Sequence, residues 1–172
     1  MSTQSESYNQ HQQDAVQNVS VGILTVSDTR TRKDDVGGRT IQEMLTAIGH
    51  RVANYEIVKD EPEEITTTLR RWIAEASCDA IITTGGTGVA SRDGTVEVVA
   101  NLLQKRLDGF GELFRMLSYD QVGSGAMLSR ALGGIVERTL IFTIPGSVAA
   151  VTLAMEKLIC PELGHLVEHL RQ

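Results

Sequence analysis

Residues 84–97 read TGGTGVASRDGTVE, placing three glycines within residues 84–88 and an arginine, an aspartate and a glutamate close behind. Glycine leaves the backbone amides open to close approach by an anion, and a helix beginning just beyond adds the positive end of its dipole. That combination is a phosphate cradle. Arg92 adds a cation suited to phosphate, whereas Asp93 would repel a bare phosphate but hold Mg²⁺ beside one. Cradle plus carboxylate points to a metal-bound nucleotide. A tight steric turn, with Asp93 capping the helix that follows, stands as the plainer alternative. Glu97 suits the first turn of that helix better than a ligand role.

No glycine precedes a lysine anywhere in the chain, so a P-loop of the Walker type is absent, and Ser91 stands where the dinucleotide fingerprint has its third glycine. At the other end of the chain, residues 165–169 read HLVEH, the HxxEH spacing of some zinc peptidases, with only three residues beyond it to supply a further ligand. Zinc hydrolysis is therefore disfavoured.

The elements that must position these residues alternate. SVGILTVS from residue 20 is a short β-branched apolar run and reads as a buried strand. A polar loop follows, then a helix over 39–48 with Ile41, Met44, Leu45 and Ile48 on one face and Gly49 as its stop. RVANYEIV is a second strand, and Pro62 opens a helix carrying Ile65, Leu69, Trp72 and Ile73. The third strand, CDAIITT, runs straight into the glycine loop. Helices follow over 96–103 and 110–119. Residues 130–136 and 139–144 suit a hairpin turning at Glu137 and Arg138, and the last helix starts near Ser147 and meets Pro161, which should kink or interrupt it.

Alternating strands and helices predict an α/β fold with a mostly parallel sheet and one antiparallel strand. Open sheets of this kind bind ligands at the carboxyl ends of their strands. Besides residues 84–88, that edge should carry Ser27 and Asp28, then Lys59, Asp60 and Glu61, then Pro145, Gly146 and Ser147. Ser147 reads either as a second oxyanion contact or as a helix cap, and Asp60 as a residue leading into the helix at Pro62.

Length and composition set the frame. The 172 residues, 41% of them hydrophobic, suffice for one core and not comfortably for two. Residues 1–18, rich in glutamine and nearly devoid of apolar side chains, read as a disordered tail, and residues 19–172 as a single domain. A formal charge of -6 argues against nucleic acid or an anionic membrane as partner. Cys78 and Cys160 lack metal or disulfide spacing and read as buried thiols. With no apolar run of spanning length and no leader pattern, the expected location is cytoplasmic.

TTGGTG followed by RDGTVE, together with VSDTR, GFGELFRMLSYDQVGSGAMLSRALGGI and FTIPGS, resembles the MoaB/MogA family of molybdenum cofactor biosynthesis proteins from about residue 21 to about residue 163. The resemblance implies a three-layer α/β/α sandwich that binds molybdopterin and, in active members, transfers AMP from Mg-ATP to its terminal phosphate. It implies functional carboxylates at Asp60 and Asp93 as ligands of Mg²⁺, and a pterin-phosphate loop over Thr84, Gly85, Gly86, Thr87 and Gly88. It implies further binding segments at Ser27 and Asp28, at Ser129 and Arg130, and at Pro145, Gly146 and Ser147. A homotrimer or homohexamer is implied too, as are other molybdenum cofactor biosynthesis proteins as partners. Val96 departs from the proline of many such adenylyltransferases, and GELFRMLSYDQVGSGAMLSRA is closer to the MoaB branch. A silent molybdopterin-binding protein of the same fold is the alternative, and a nucleotide-dependent enzyme indifferent to pterin a third reading.

Overall fold

In the computed structural model, which describes residues 16–172, the chain opens with β1 (Ser20–Val26), α1 (Val36–Ala47), β2 (Arg51–Val58), α2 (Pro62–Ala74) and β3 (Ala80–Thr84). Then come α3 (Thr95–Leu102), a two-residue strand β4 (Lys105–Arg106), α4 (Asp108–Val122) and a 3₁₀ segment over Gly123–Leu128. The hairpin β5 (Leu132–Val136) and β6 (Thr139–Ile144) leads into α5 (Val148–Ala154), a π-helical turn over Met155–Ile159, and α6 (Cys160–Arg171). The expected tail falls outside the described residues over 1–15, while Val16 packs half-buried against the core.

The six strands lie in the order β2-β1-β3-β6-β5-β4. β2, β1, β3 and β6 are mutually parallel, and β5 runs antiparallel to both its neighbours, so it is the one strand against the grain. The hairpin turns at Glu137, whose φ of 54° marks the tight reversal. Helices cover both faces. Val21 and Ile23 of β1 pack with Ile41 and Leu45 of α1 and with α4, α5 and α6 on one side, while Leu24 and Val26 pack with Ile65, Leu69 and Trp72 of α2 and with α3 on the other. This is why β1 reads as an unbroken apolar run: both its faces are buried.

Local chemistry explains the boundaries. Asp35 caps α1 by accepting from the amide of Gly38, so the helix begins at Val36, three residues before the expected start; the pair Gly37 and Gly38, read from sequence as loop, lies in its first turn. Ile48, expected on the buried face of α1, terminates the helix and is 46% exposed. Pro62 opens α2 with Glu63 and Glu64 in the first turn, where the dipole favours acids. The α-helix that starts at Val148 is interrupted ahead of Pro161, as expected: a π-helical turn over Met155–Ile159 separates α5 from α6, and Pro161 stands in the first turn of α6, where its missing amide is tolerated. β4, too short to carry a pattern, had no sequence signal.

Candidate functional site

Four parallel strands end level with one another. Val26 of β1 is in register with Val58 of β2, Thr25 with Thr84 of β3, and Thr84 with Ile144 of β6. The segments following these ends therefore meet along one edge. The Ser27 amide donates to the Val58 carbonyl at 2.8 Å, the Asp60 amide to Asp28 Oδ1 at 3.2 Å, and the Gly85 amide to the Ile144 carbonyl at 3.2 Å. The Thr84 hydroxyl donates to the Pro145 carbonyl at 3.3 Å. All the strand-end residues singled out in the sequence come together here.

The glycine loop is shaped around the two carboxylates. Gly86 has a φ of +61°, and a Cβ there would lie 2.8 Å from Asp60 Oδ2 and collide with the Thr95 hydroxyl. A Cβ on Gly88 would lie 2.5 Å from Asp93 Oδ2. Each glycine thus makes room for one carboxylate. The roles at the start of α3 differ from the sequence reading. Asp93 does not cap that helix; its Oδ2 accepts from the Ala90 amide at 2.9 Å and closes the short loop before it. Asp60, from the neighbouring strand end, accepts from the Gly94 amide at 3.3 Å and so occupies the helix start instead. Ser147 caps α5 by accepting from the Ala150 amide at 3.3 Å, the second of the two roles weighed for it.

Electrostatics follow from this crowding. Burial pushes the Asp60 carboxyl above the ordinary aspartate range and the nearby charges of Asp93 and Glu61 add to that, against the lowering effect of the Gly94 amide. A carboxylate so placed gains from a cation nearby. Arg92, the candidate phosphate cation, is ion-paired with Asp28.

Arg130 braces the loop from the other side. Its guanidinium donates to the carbonyls of Thr87 at 3.1 Å and Asp93 at 3.0 Å and pairs with Glu97, which lowers the Glu97 carboxyl through that hydrogen bond. Three donors of one rigid fork thus tie loop to helix. Glu97 stands in the first turn of α3, as expected, and is engaged there by Arg130. Among the described residues nothing accepts from the amides of Gly86, Thr87 or Gly88, while the buried hydroxyls of Thr95 and Ser129 lack partners. Unpaired donors around a glycine loop suit an anion.

Two residues of the site went unmarked in the sequence. Asp35 is fully buried and accepts from the Thr25 hydroxyl at 2.6 Å, the Tyr55 hydroxyl at 2.7 Å and the Gly38 amide at 3.0 Å. Burial alone would raise its pKa, yet these bonds and the Arg30 charge hold it below the usual value. Arg30 in turn donates to the Gly146 carbonyl at 3.2 Å, linking the loop after β1 to the loop after β6. The signal available was Asp35 ahead of two glycines, a cap pattern. Two hollows open at this edge, one of about 620 Å³ beside Ser27, Asp28, Tyr55 and Lys59, and one of about 520 Å³ beside Ser91, Asp93 and Arg130. A third, about 500 Å³, lies across Arg130 and is lined by Ser129, Arg106 and Arg115.

Residues 22–165 match the family described as a probable molybdopterin binding domain. The chain is 47% identical to molybdenum cofactor biosynthesis protein B of Bacillus cereus over 167 residues, covering 96% of this chain and 99% of that one. A crystal structure of molybdenum cofactor biosynthesis protein B superposes with a TM-score of 0.89 at 49% identity, covering 92% of this chain and 99% of the other. The tungsten cofactor synthesizing protein MoaB of Pyrococcus furiosus superposes with a TM-score of 0.83 at 38% identity, covering 92% and 100%.

Proposed function

Because the chain belongs to the MoaB/MogA family of molybdenum cofactor biosynthesis proteins, we propose that it binds molybdopterin and transfers AMP from Mg-ATP to the terminal phosphate, giving adenylylated molybdopterin and pyrophosphate. The observation that carries this reading is the pairing of each carboxylate with its own loop glycine, Asp60 with Gly86 and Asp93 with Gly88. Anion donors and cation ligands are thereby interleaved within one loop.

A phosphate monoester has its second pKa near 6 and is already a nucleophilic dianion at neutral pH, so no general base is needed. Its oxygen forms a bond to the α-phosphorus of ATP as the bond from that phosphorus to the bridging oxygen breaks, and pyrophosphate leaves with the electron pair. The amides of Gly86, Thr87 and Gly88 hold and orient the acceptor phosphate. Asp60 and Asp93 fit Mg²⁺, which takes one or two carboxylates and completes its shell with nucleotide phosphates and water. Two carboxylates suffice, and no group of three or more metal-ligating side chains occurs among the described residues. When bound, the ion offsets charge on the departing pyrophosphate. Arg130 keeps the loop from relaxing when the anion arrives, and Arg30 holds the loop at Gly146 beside it.

One observation favours a second reading, pterin binding without transfer: Arg92, next to Asp93 in sequence, is engaged by Asp28, which withdraws that cation from a nucleotide. Incubating the purified protein with molybdopterin and Mg-ATP separates the two. Adenylylated pterin with stoichiometric pyrophosphate supports transfer, and pterin binding without pyrophosphate supports the silent protein. ATP turnover indifferent to pterin would remove both. The assembly proposed is a homotrimer or homohexamer.

A further inference from the structure

Arg130 belongs to two places at once: it braces the glycine loop at the Thr87 carbonyl, 3.1 Å away, and it lines the hollow of about 500 Å³ where α3, α4 and the start of β5 meet. A ligand whose phosphate sits on the loop amides therefore has this hollow beside it, of a size that small-molecule sites use. Not all of its polar groups are engaged. Arg106 is paired with Asp108, Nε to Oδ1 at 3.1 Å, and Arg130 with Glu97. Glu112, one turn along α4 from Asp108, has neither an ion pair nor a hydrogen bond among the described residues. Arg115 is anchored close by. Its Nη1 donates to the Ala131 carbonyl at 3.3 Å, and a Cβ on Gly111 would lie 3.0 Å from both Nη1 and Nη2, so that glycine makes room for the guanidinium. One bond uses one of five N–H groups and leaves the others for a ligand. The buried Ser129 hydroxyl, without a partner, lines the same hollow.

We infer that this hollow takes the pterin ring, with Glu112 as the residue that selects it, an inference that rests on the molybdopterin reading above. The exocyclic amino group of a pterin and the ring N–H next to it form a pair of parallel donors, which one carboxylate accepts with both oxygens. The ring carbonyl on the other side of that N–H accepts from a guanidinium. Glu112 and Arg115 stand three residues apart on one face of α4, so acceptor and donor are offered side by side, as that ring edge requires. Val96 and Leu132 give the ring an apolar wall. Adenine has no such edge: its amino group is flanked by ring nitrogens that only accept, so the base of ATP finds no match at Glu112. The hollow thereby separates the two substrates of the proposed transfer.

The test is titration of the full-length protein with molybdopterin, and with two ring probes, pterin and lumazine, the second carrying an oxygen in place of the exocyclic amino group. Glu112→Gln should weaken molybdopterin binding about tenfold or more, since it loses a charge-assisted pair of bonds. Wild type should prefer pterin over lumazine by about tenfold or more, because the lumazine oxygen faces the carboxylate acceptor to acceptor. That preference should disappear in Glu112→Gln, whose amide donates as readily as it accepts. Glu112 is exposed and unpaired, so the variant should melt as wild type does, and a purely structural role would not move the ring preference. Equal molybdopterin affinity in wild type and Glu112→Gln, or no preference of wild type for pterin over lumazine, would overturn the ring placement and leave the molybdopterin reading standing. No binding of molybdopterin by wild type would overturn both.

Discussion

Asp60 Oδ1 accepts the amide of Gly94 at 3.3 Å, so a carboxylate from the end of one strand takes the helix-start position of α3, which Asp93 leaves unfilled. The bond fixes the distance between β2 and the glycine loop and leaves Oδ2 facing Gly86.

Asp60→Asn should separate stability from activity. The Asp60 pKa is raised in the folded protein, so its ionisation costs stability at pH values above the unfolded value, and the cost vanishes as pH falls below that value. Asn removes the charge and keeps an acceptor for Gly94. The variant should therefore melt no lower than wild type at neutral pH, with the difference narrowing toward acid. On the proposed transfer reading, in which that charge holds Mg²⁺, turnover should fall about 100-fold or more. A clear loss of stability in urea at pH 7, with turnover intact, would contradict both halves.

Gly86 is the natural place to probe anion binding from sequence, yet the structure moves the probe to Gly88. With a φ of +61° and Thr95 and Asp60 against its Cα, Gly86→Ala should cost about 1–3 kcal/mol in fold stability whether or not a ligand is present. At Gly88 the obstruction is only the end of the Asp93 side chain. Gly88→Ala should melt near wild type while displacing that carboxylate, lowering turnover and Mg-ATP affinity. Paired melting curves and nucleotide titrations of the two variants check this.

Arg130 is the brace, and its replacement should loosen the loop without touching the core. Arg130→Ala removes donors from the Thr87 and Asp93 carbonyls and the partner of Glu97, a loss of about 1–3 kcal/mol. Lys cannot reproduce a three-way fork, so Arg130→Lys should recover little. Hydrogen exchange over residues 86–94 should accelerate in both variants, and pterin affinity should drop with it.

Much of this site was legible because its chemistry sits at strand ends. The run of glycines in residues 84–88, the pair Arg92 and Asp93, and the proline-led helix after Asp60 each leave a local signature, and alternating periodicity places them on one edge. The cross-connections left none. That Arg130 would reach the Thr87 carbonyl, that Arg92 would pair with Asp28, or that Asp60 would serve α3 depends on which strands are neighbours, and short-range patterns do not carry that. Asp35 was hidden for a different reason: within TRKDDVGG it looks like one more loop acid, and only burial against Thr25 and Tyr55 distinguishes it.

Asp35 should make the fold acid-sensitive. Its pKa is lowered in the folded state, so its contribution is fully present above the unfolded value of about 3.9 and is lost as pH falls through the lower folded value. Asp35→Asn leaves one oxygen to face donors from Thr25, Tyr55, Gly38 and Arg30, and should cost about 2–4 kcal/mol at neutral pH. Urea midpoints of wild type and variant should converge as pH is taken below about 4.

The surface of α4 bears on assembly. From sequence, Phe110, Leu113, Phe114, Met116 and Leu117 together make one apolar face; in the structure Phe110 and Phe114 are buried in the chain's own core and Leu117 packs against it. What faces outward is Leu113, Met116, Tyr119 and Val122, continued by Met127 at 83% exposure and Leu128 in the following 3₁₀ segment. Exposed apolar side chains clustered on one helix and its extension mark an interaction surface, and a homo-oligomer closes it without leaving a free copy. Light scattering of the full chain at micromolar concentration should give the mass of three or six copies. Met116→Lys combined with Met127→Lys should lower that mass toward one chain and leave far-ultraviolet circular dichroism unchanged, because neither side chain enters the core. A monomeric wild type, or a double variant that assembles as wild type does, would place the interface elsewhere or remove it.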